Sequence, residues 1–126
     1  MNNKELGDWG EQQAKGYLKS QGFIILEKNY RSHIGEVDLI AKDGDFLVFV
    51  EVKTRTSKAY GFPMEAIGPK KQNKYFKMAS IYAKHRGIHD VSFRFDIIEV
   101  MVKYNSKPDI NHIPNAFQPH KGNYYW

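Results

Sequence analysis

The stretch Gly35-Glu-Val-Asp-Leu-Ile40, followed across Asp43-Gly44 by Phe46-Leu-Val-Phe-Val-Glu-Val-Lys53, decides how this chain folds. Val37 to Ala41 and Phe46 to Val52 read as strands, and Asp43-Gly44 is a type I′ hairpin signal between them. Phe46 to Val50 is apolar on both faces, so the second strand is expected at the centre of a sheet. Successive strand residues point to opposite faces, which puts Glu36 with Asp38 and Glu51 with Lys53. With Asp43 and Gly44 as the loop, Lys42 pairs with Asp45, Asp38 with Phe49 and Glu36 with Glu51. All four polar side chains then share one face, with Asp38 diagonal to Glu51.

Working outward, residues 3–21 carry Leu6, Gly10, Ala14, Tyr17 and Leu18 at helical spacing. Asn2 and Glu5 form a capping-box pattern, and Gly22 suits the left-handed position after the last turn. Phe23 to Leu26 reads as a strand and residues 54–67 as a loop. Pro69 and Gly87 bracket a second helix over 69–86, with Phe76, Ala79 and Ala83 as an apolar stripe and Lys70, Lys74, Lys77 and Lys84 as a basic one. Val91 to Lys103 alternates as a final strand. The predicted fold is α/β, in the order αβββαβ: a central mixed sheet flanked by helices. Residues 1–103 form this domain. From Tyr104 to the end, Pro108, Pro114 and Pro119 with several Asn residues predict an irregular tail, whose Phe117, Tyr124, Tyr125 and Trp126 are placed to dock on the body or on a partner.

A length of 126 residues fits one domain, and 41% apolar with 26% charged residues is an ordinary globular composition. With no cysteine there is no disulfide framework, thiolate metal site or cysteine nucleophile. No apolar run approaches the ~20 residues of a membrane span, and the first residues lack an apolar signal region, so a cytoplasmic protein without membrane contact is expected. The net charge is +5. Residues 68–87 hold five lysines, one arginine and no acid, a local +6, so the rest of the chain sums to 5 − 6 = −1. A basic face on a near-neutral body fits a polyanionic partner, nucleic acid first.

Carboxylates as close as Asp38, Glu36 and Glu51 repel unless a cation lies among them, and an oxygen-only set suits Mg²⁺ or Mn²⁺ better than zinc. Glu11 falls on the apolar stripe of the first helix, where an acid needs compensation, and Gly7 and Gly10 beside it would let the helix approach the sheet closely. Arg31, His33 and Arg55 flank the site as phosphate contacts. Lys70, Lys71 and Lys74 stand at a helix N-terminus, where backbone N–H groups also attract phosphate. Arg94 and Asp96 share a strand face as an ion pair. The five histidines show no metal-ligand spacing and receive no role.

Asp38 with Glu51-x-Lys53, after a helical Glu11 and before a basic helix, resembles the restriction-endonuclease-like nucleases whose motif is Asp followed by Glu-x-Lys. The chain is similar to the YraN-like uncharacterised protein family, related to archaeal-type Holliday junction resolvases. The resemblance spans residues 5–101, through Gly10-Glu11, Asn29-Tyr-Arg31, Gly35-Glu-Val-Asp-Leu-Ile40, Phe49-Val-Glu-Val-Lys-Thr-Arg55, Tyr60-Gly61 with Pro63, Lys70-Lys-Gln72 and Arg94-Phe-Asp96. It implies a restriction-endonuclease-like domain that hydrolyses phosphodiesters, with structured or branched DNA favoured over RNA. Carried over, Asp38, Glu51 and the Val52 carbonyl ligate Mg²⁺ or Mn²⁺, Glu11 reaches the metal through water, and Lys53 holds or activates the attacking water. Glu36 and Gln72 rank second. Junction cleavage would demand two active sites, hence a homodimer. The alternatives are a nucleic-acid-binding module of the same fold without catalysis, or a protein-interaction domain.

Overall fold

The computed structural model describes residues 1–56 and 67–119. Helix α1 (Asn3–Ser20) leads into strands β1 (Ile24–Arg31), β2 (Glu36–Asp43) and β3 (Phe46–Arg55). Helix α2 (Pro69–His85) then crosses to β4 (Ser92–Met101), and β5 (Asp109–Ile113) follows. The strands lie in the order β1-β2-β3-β4-β5, antiparallel throughout except for β3 beside β4. That one parallel pair follows from chain order, because α2 is the crossover that carries the chain back to the starting edge of β3. The αβββαβ order expected from the sequence is observed.

Each helix covers one face of the sheet. Ala14 and Leu18 of α1 pack with Leu39, Ala41, Val48, Val50 and Ile98. Phe76, Ala79 and Tyr82 of α2 pack with Ile40, Phe49, Phe95 and Ile97 on the other side. β3 contributes to both clusters, so its unbroken apolar run is the signature of a strand buried on two faces. At the start of α1 the capping box forms, the Glu5 N–H donating to Asn2 Oδ1 at 2.8 Å and the Asn2 N–H to Glu5 Oε1 at 3.1 Å. Gly22, at φ +91°, closes the other end, with the Phe23 N–H on the Leu18 carbonyl.

Three expectations are corrected. The β2–β3 loop is Gly44-Asp45, not Asp43-Gly44, since Asp43 lies opposite Phe46. Gly44 takes φ +58° at the first loop position, as a type II′ turn requires; a type I′ turn over Asp43-Gly44 would force Asp43 into that region as well. The register slides by two residues, so the side chains of β3 keep their expected faces but change their opposite numbers, while on β2 alternation breaks between Val37 and Leu39, which pack on opposite faces. Leu39 faces Val50, and Glu51 thereby comes level with Asp38. The strand expected over Phe23–Leu26 runs on to Arg31, past a register irregularity between Ile25 and Glu27 and a left-handed Asn29 at φ +51°.

The segment after Tyr104 is also not wholly irregular. β5 pairs with β4, and Pro108 and Pro114 stand immediately outside its two ends. Proline lacks the N–H that a ladder needs, so these two delimit an edge strand rather than prevent one. Beyond β5, Phe117 is buried on the body, stacked on Phe95 with ring centroids 5.3 Å apart. Tyr124, Tyr125 and Trp126 lie outside the described residues, as does most of the loop expected over 54–67, including Tyr60, Gly61 and Pro63.

Candidate functional site

The sheet-side residues of the site come from β2 and β3, at the end of their pairing away from the hairpin. Beyond Leu39 and Val50 the regular ladder stops, and the Val52 N–H donates instead to Asp38 Oδ2 at 2.8 Å. The Asp38 side chain thus substitutes for a strand carbonyl and is tied to β3 beside Glu51. Glu51 is 4% exposed. Its Oε2 accepts from the Tyr75 hydroxyl, and its Oε1 lies 2.7 Å from Lys71 Nζ and 3.4 Å from Lys53 Nζ. A cleft of about 440 Å³ opens here, with Glu36, Asp38 and Glu51 on the sheet side and Lys70, Lys71, Lys74 and Tyr75 of α2 across from them.

Glu11 reaches the same neighbourhood from α1. The helix lies so close to β3 that a Cβ on Gly10 would stand 1.8 Å from Thr54 Oγ1 and 2.9 Å from Thr54 Cβ. Gly10 therefore permits the approach, while a Cβ on Gly7 would meet open space, so the role expected for both falls to Gly10 alone. Glu11 Oε1 is buried without a hydrogen-bond partner. Burial raises the Glu11 carboxyl above its ordinary range, a hydrogen bond with the Asn29 side chain opposes this, and the Glu36 charge adds to the rise. The left-handed backbone at Asn29, a conformation asparagine tolerates better than most residues, sits beside this contact.

Electrostatic tension is greatest at Asp38. Burial first, and the Glu51 carboxylate next, push its carboxyl up to about 7, against the lowering effect of the Val52 N–H. A carboxyl raised in this way binds more protons folded than unfolded between the ordinary carboxylate range and about pH 7. Stability is therefore lost as pH climbs through that window. Asp38→Asn keeps an acceptor for the Val52 N–H and removes the charge. In metal-free buffer it is expected to raise unfolding free energy at pH 8 by about 2 kcal/mol, with the gain fading towards pH 5. Urea melts in chelator at both pH values check this; an equal gain at both would assign the effect to packing instead.

The remaining sequence-selected residues divide clearly. Lys70 and Lys74 are exposed and line the cleft. Arg31 pairs with Glu36 at 3.4 Å and lines a neighbouring shallow groove with Glu11 and Asn29. Arg55 is engaged elsewhere, 2.7 Å from Glu99 with both side chains largely buried. Gln72 Nε2 donates to the Ile67 carbonyl at 3.0 Å, bracing the entry to α2. Tyr75 was not singled out in the sequence. It is buried, its hydroxyl joins Glu51 to the Asp38 backbone, and burial with the charges of Glu51 and Asp38 raises that hydroxyl well above the ordinary tyrosine range. Its place one helical turn after Lys71, between the basic and apolar stripes, is the sequence signal for a buried phenol that needs a partner.

Among the described residues, no three of His, Cys, Asp and Glu converge as a metal cluster. The donor chemistry nevertheless suits a hard divalent ion. Mg²⁺ keeps several waters and is held through one or two carboxylates plus substrate phosphate, which is what Asp38 and Glu51 offer. The raised Asp38 carboxyl is a feature that such a cation would relieve, whereas Glu11 opens on the neighbouring groove and not on this cleft.

No helix among the described residues is long and apolar enough to cross a membrane. The chain is 52% identical over 118 residues to a UPF0102 protein of Clostridium botulinum (strain Kyoto / Type A2), covering 92% of this chain and 96% of the relative. A UPF0102 protein of Clostridium kluyveri is 44% identical over 117 residues with the same coverage. The family match runs over residues 10–100, a span that holds Glu11, Glu36, Asp38, Glu51 and the lysines of α2. On this similarity the chain belongs to the Uncharacterised protein family UPF0102.

Proposed function

We propose that this protein binds a nucleic-acid backbone in the cleft between the sheet and α2, and hydrolyses a phosphodiester there with Mg²⁺ or Mn²⁺. The observation that carries the reading is the facing of two carboxylates, Asp38 and Glu51, by Lys70, Lys71 and Lys74 across one cleft. Carboxylates and lysines in this arrangement have complementary tasks. Asp38, Glu51 and the Val52 carbonyl would hold the cation, and Glu11 would reach it through water. When bound, the cation would lower the pKa of its water and screen the charge that builds on phosphorus. Lys53, on the same sheet face as Glu51, orients the attacking water and adds positive charge beside the transition state. Lys70 and Lys74 seat the phosphates next to the N-terminal N–H groups of α2. Branched or otherwise structured DNA is the favoured substrate.

The test is incubation with duplex, single-stranded, flap and four-way-junction DNA, and RNA counterparts, in Mg²⁺, Mn²⁺ or chelator. Divalent-dependent cleavage of any of them supports hydrolysis. Binding without cleavage under every metal would assign the fold to a non-catalytic nucleic-acid module, a reading that Glu51 favours by already having both oxygens engaged. Lys70→Glu with Lys74→Glu is expected to weaken binding at least tenfold at low salt and to flatten its salt dependence by about two phosphate contacts. Unchanged affinity in a filter-binding titration would reduce the lysines to a solvated face.

A further inference from the structure

Glu51 Oε1 faces two ammonium groups that are held very differently. Lys53 stands two residues along the same strand and is 27% exposed, whereas Lys71 comes from the opposite wall of the cleft and is 43% exposed. Lys71 is nonetheless the nearer, at 2.7 Å against 3.4 Å. Its own helix gives it little reason to rest there. It lies in the first turn of α2, beside Lys70 and one turn before Lys74, and that turn contains no acid. The N-terminal end of a helix dipole disfavours cations, so this trio is held together only by an anion supplied from outside the helix. Among the described residues, Glu51 supplies it, and to Lys71 alone of the three.

We propose that Lys71 is a displaceable internal cation: it neutralises Glu51 while the cleft is empty, and a divalent cation arriving at Asp38 and Glu51 releases it towards the phosphodiester. The inference rests on the metal-dependent reading of the cleft and adds a regulation to it. Glu51 remains anchored through Oε2 by Tyr75, so only its other oxygen changes partner. A released Lys71 joins Lys70 and Lys74, and the cleft's affinity for a polyanion rises as the metal binds. Metal and nucleic acid thereby become positively coupled, each favouring the other by the same factor.

The experiment is a brief acetylation of the full chain with an amine-reactive ester at constant pH, read by mass spectrometry with Mg²⁺ or chelator. Mg²⁺ is expected to raise labelling of Lys71 several-fold while leaving Lys70 and Lys74 unchanged. In calorimetry, Lys71→Met is expected to bind Mn²⁺ up to about fivefold more tightly, the upper end for an ion pair with a partly exposed partner, and Lys70→Met to show little gain. Metal binding with unaltered Lys71 labelling would overturn the inference and leave the metal site standing. Absence of metal binding by both wild type and Lys71→Met would overturn the metal-dependent reading itself, and this inference with it.

Discussion

Asp96→Asn is expected to lower the stability of the fold by about 3–5 kcal/mol, enough to shift its melting temperature by roughly 10–20 °C. Asp96 is fully buried and accepts from four donors. Arg94 donates two parallel bonds at 2.9 and 3.0 Å, His112 Nε2 lies at 2.8 Å, and the Asn115 N–H donates at 2.9 Å. His112 also meets the Tyr17 hydroxyl through Nδ1, so one carboxylate ties β4 to β5, to the segment after it and to α1. Removing its charge leaves Arg94, only 14% exposed, with Asp43 as its remaining acid. A buried ion deprived of a partner costs far more than the pair contributes in water. The comparison is Asp109→Asn, which breaks the Lys103–Asp109 pair of nearly equal length, 3.0 Å, at about half exposure; a change within ~1 kcal/mol is expected there. Equal losses in the two variants would show that burial is not the cause.

The same carboxylate fixes the sign of an acid response. Burial alone would raise it, but the bonds from His112, Arg94 and the Asn115 N–H together hold it below the ordinary Asp range. Its contribution to stability is therefore complete above that range and lost as pH falls through the lowered value. Asp38 acts in the opposite sense between the ordinary carboxylate range and about pH 7. In metal-free buffer the two residues place the most stable region on the mildly acidic side of neutrality.

How far the sequence discloses the site depends on which physical rule each residue obeys. Alternation holds along β3, so the common face of Glu51 and Lys53 is readable from parity and survives a two-residue shift in register; on β2 it breaks, Val37 packing with the α2 cluster and Leu39 with the α1 cluster, so the shared face of Glu36 and Asp38 does not follow from parity. The shift arises because Asp43-Gly44 and Gly44-Asp45 are both acceptable loops by composition, and what separates them is the backbone of Asp43, which stays out of the left-handed region that a type I′ turn would demand of it. Arg94 with Asp96 was readable for the same reason as Glu51 with Lys53, being two residues apart on one strand. Contacts made across the chain were not. Nothing local says that Arg55 turns to Glu99, that His112 closes on Asp96, or that Tyr75 reaches Glu51. Lys71 is the instructive case. As a sequence it is one member of a basic stripe, and only the crossover of α2 over the end of β3 brings it to a buried acid.

Lys53→Ala is expected to reduce divalent-dependent cleavage by ~10²–10³, the loss typical of removing one charged group that acts chiefly on the transition state. Lys53 stands on the central strand, two residues after Glu51 on the same face, with its ammonium 3.4 Å from Glu51 Oε1. The structure also supplies the reason why the fold should tolerate its loss. Glu51 keeps Tyr75 on one oxygen and Lys71 on the other, so the buried carboxylate is not left uncompensated. Melting temperature and nucleic-acid affinity should therefore stay close to those of the wild type while the rate falls. If Lys53 instead serves to balance the carboxylates, the variant should melt earlier in chelator and recover when Mg²⁺ is added, because the cation then does the balancing. Cleavage rate and melting temperature, each measured with and without Mg²⁺, separate the two roles. A variant that cuts at the wild-type rate would remove Lys53 from the catalytic assignment and leave the water to be oriented by Glu11 or by the phosphate itself.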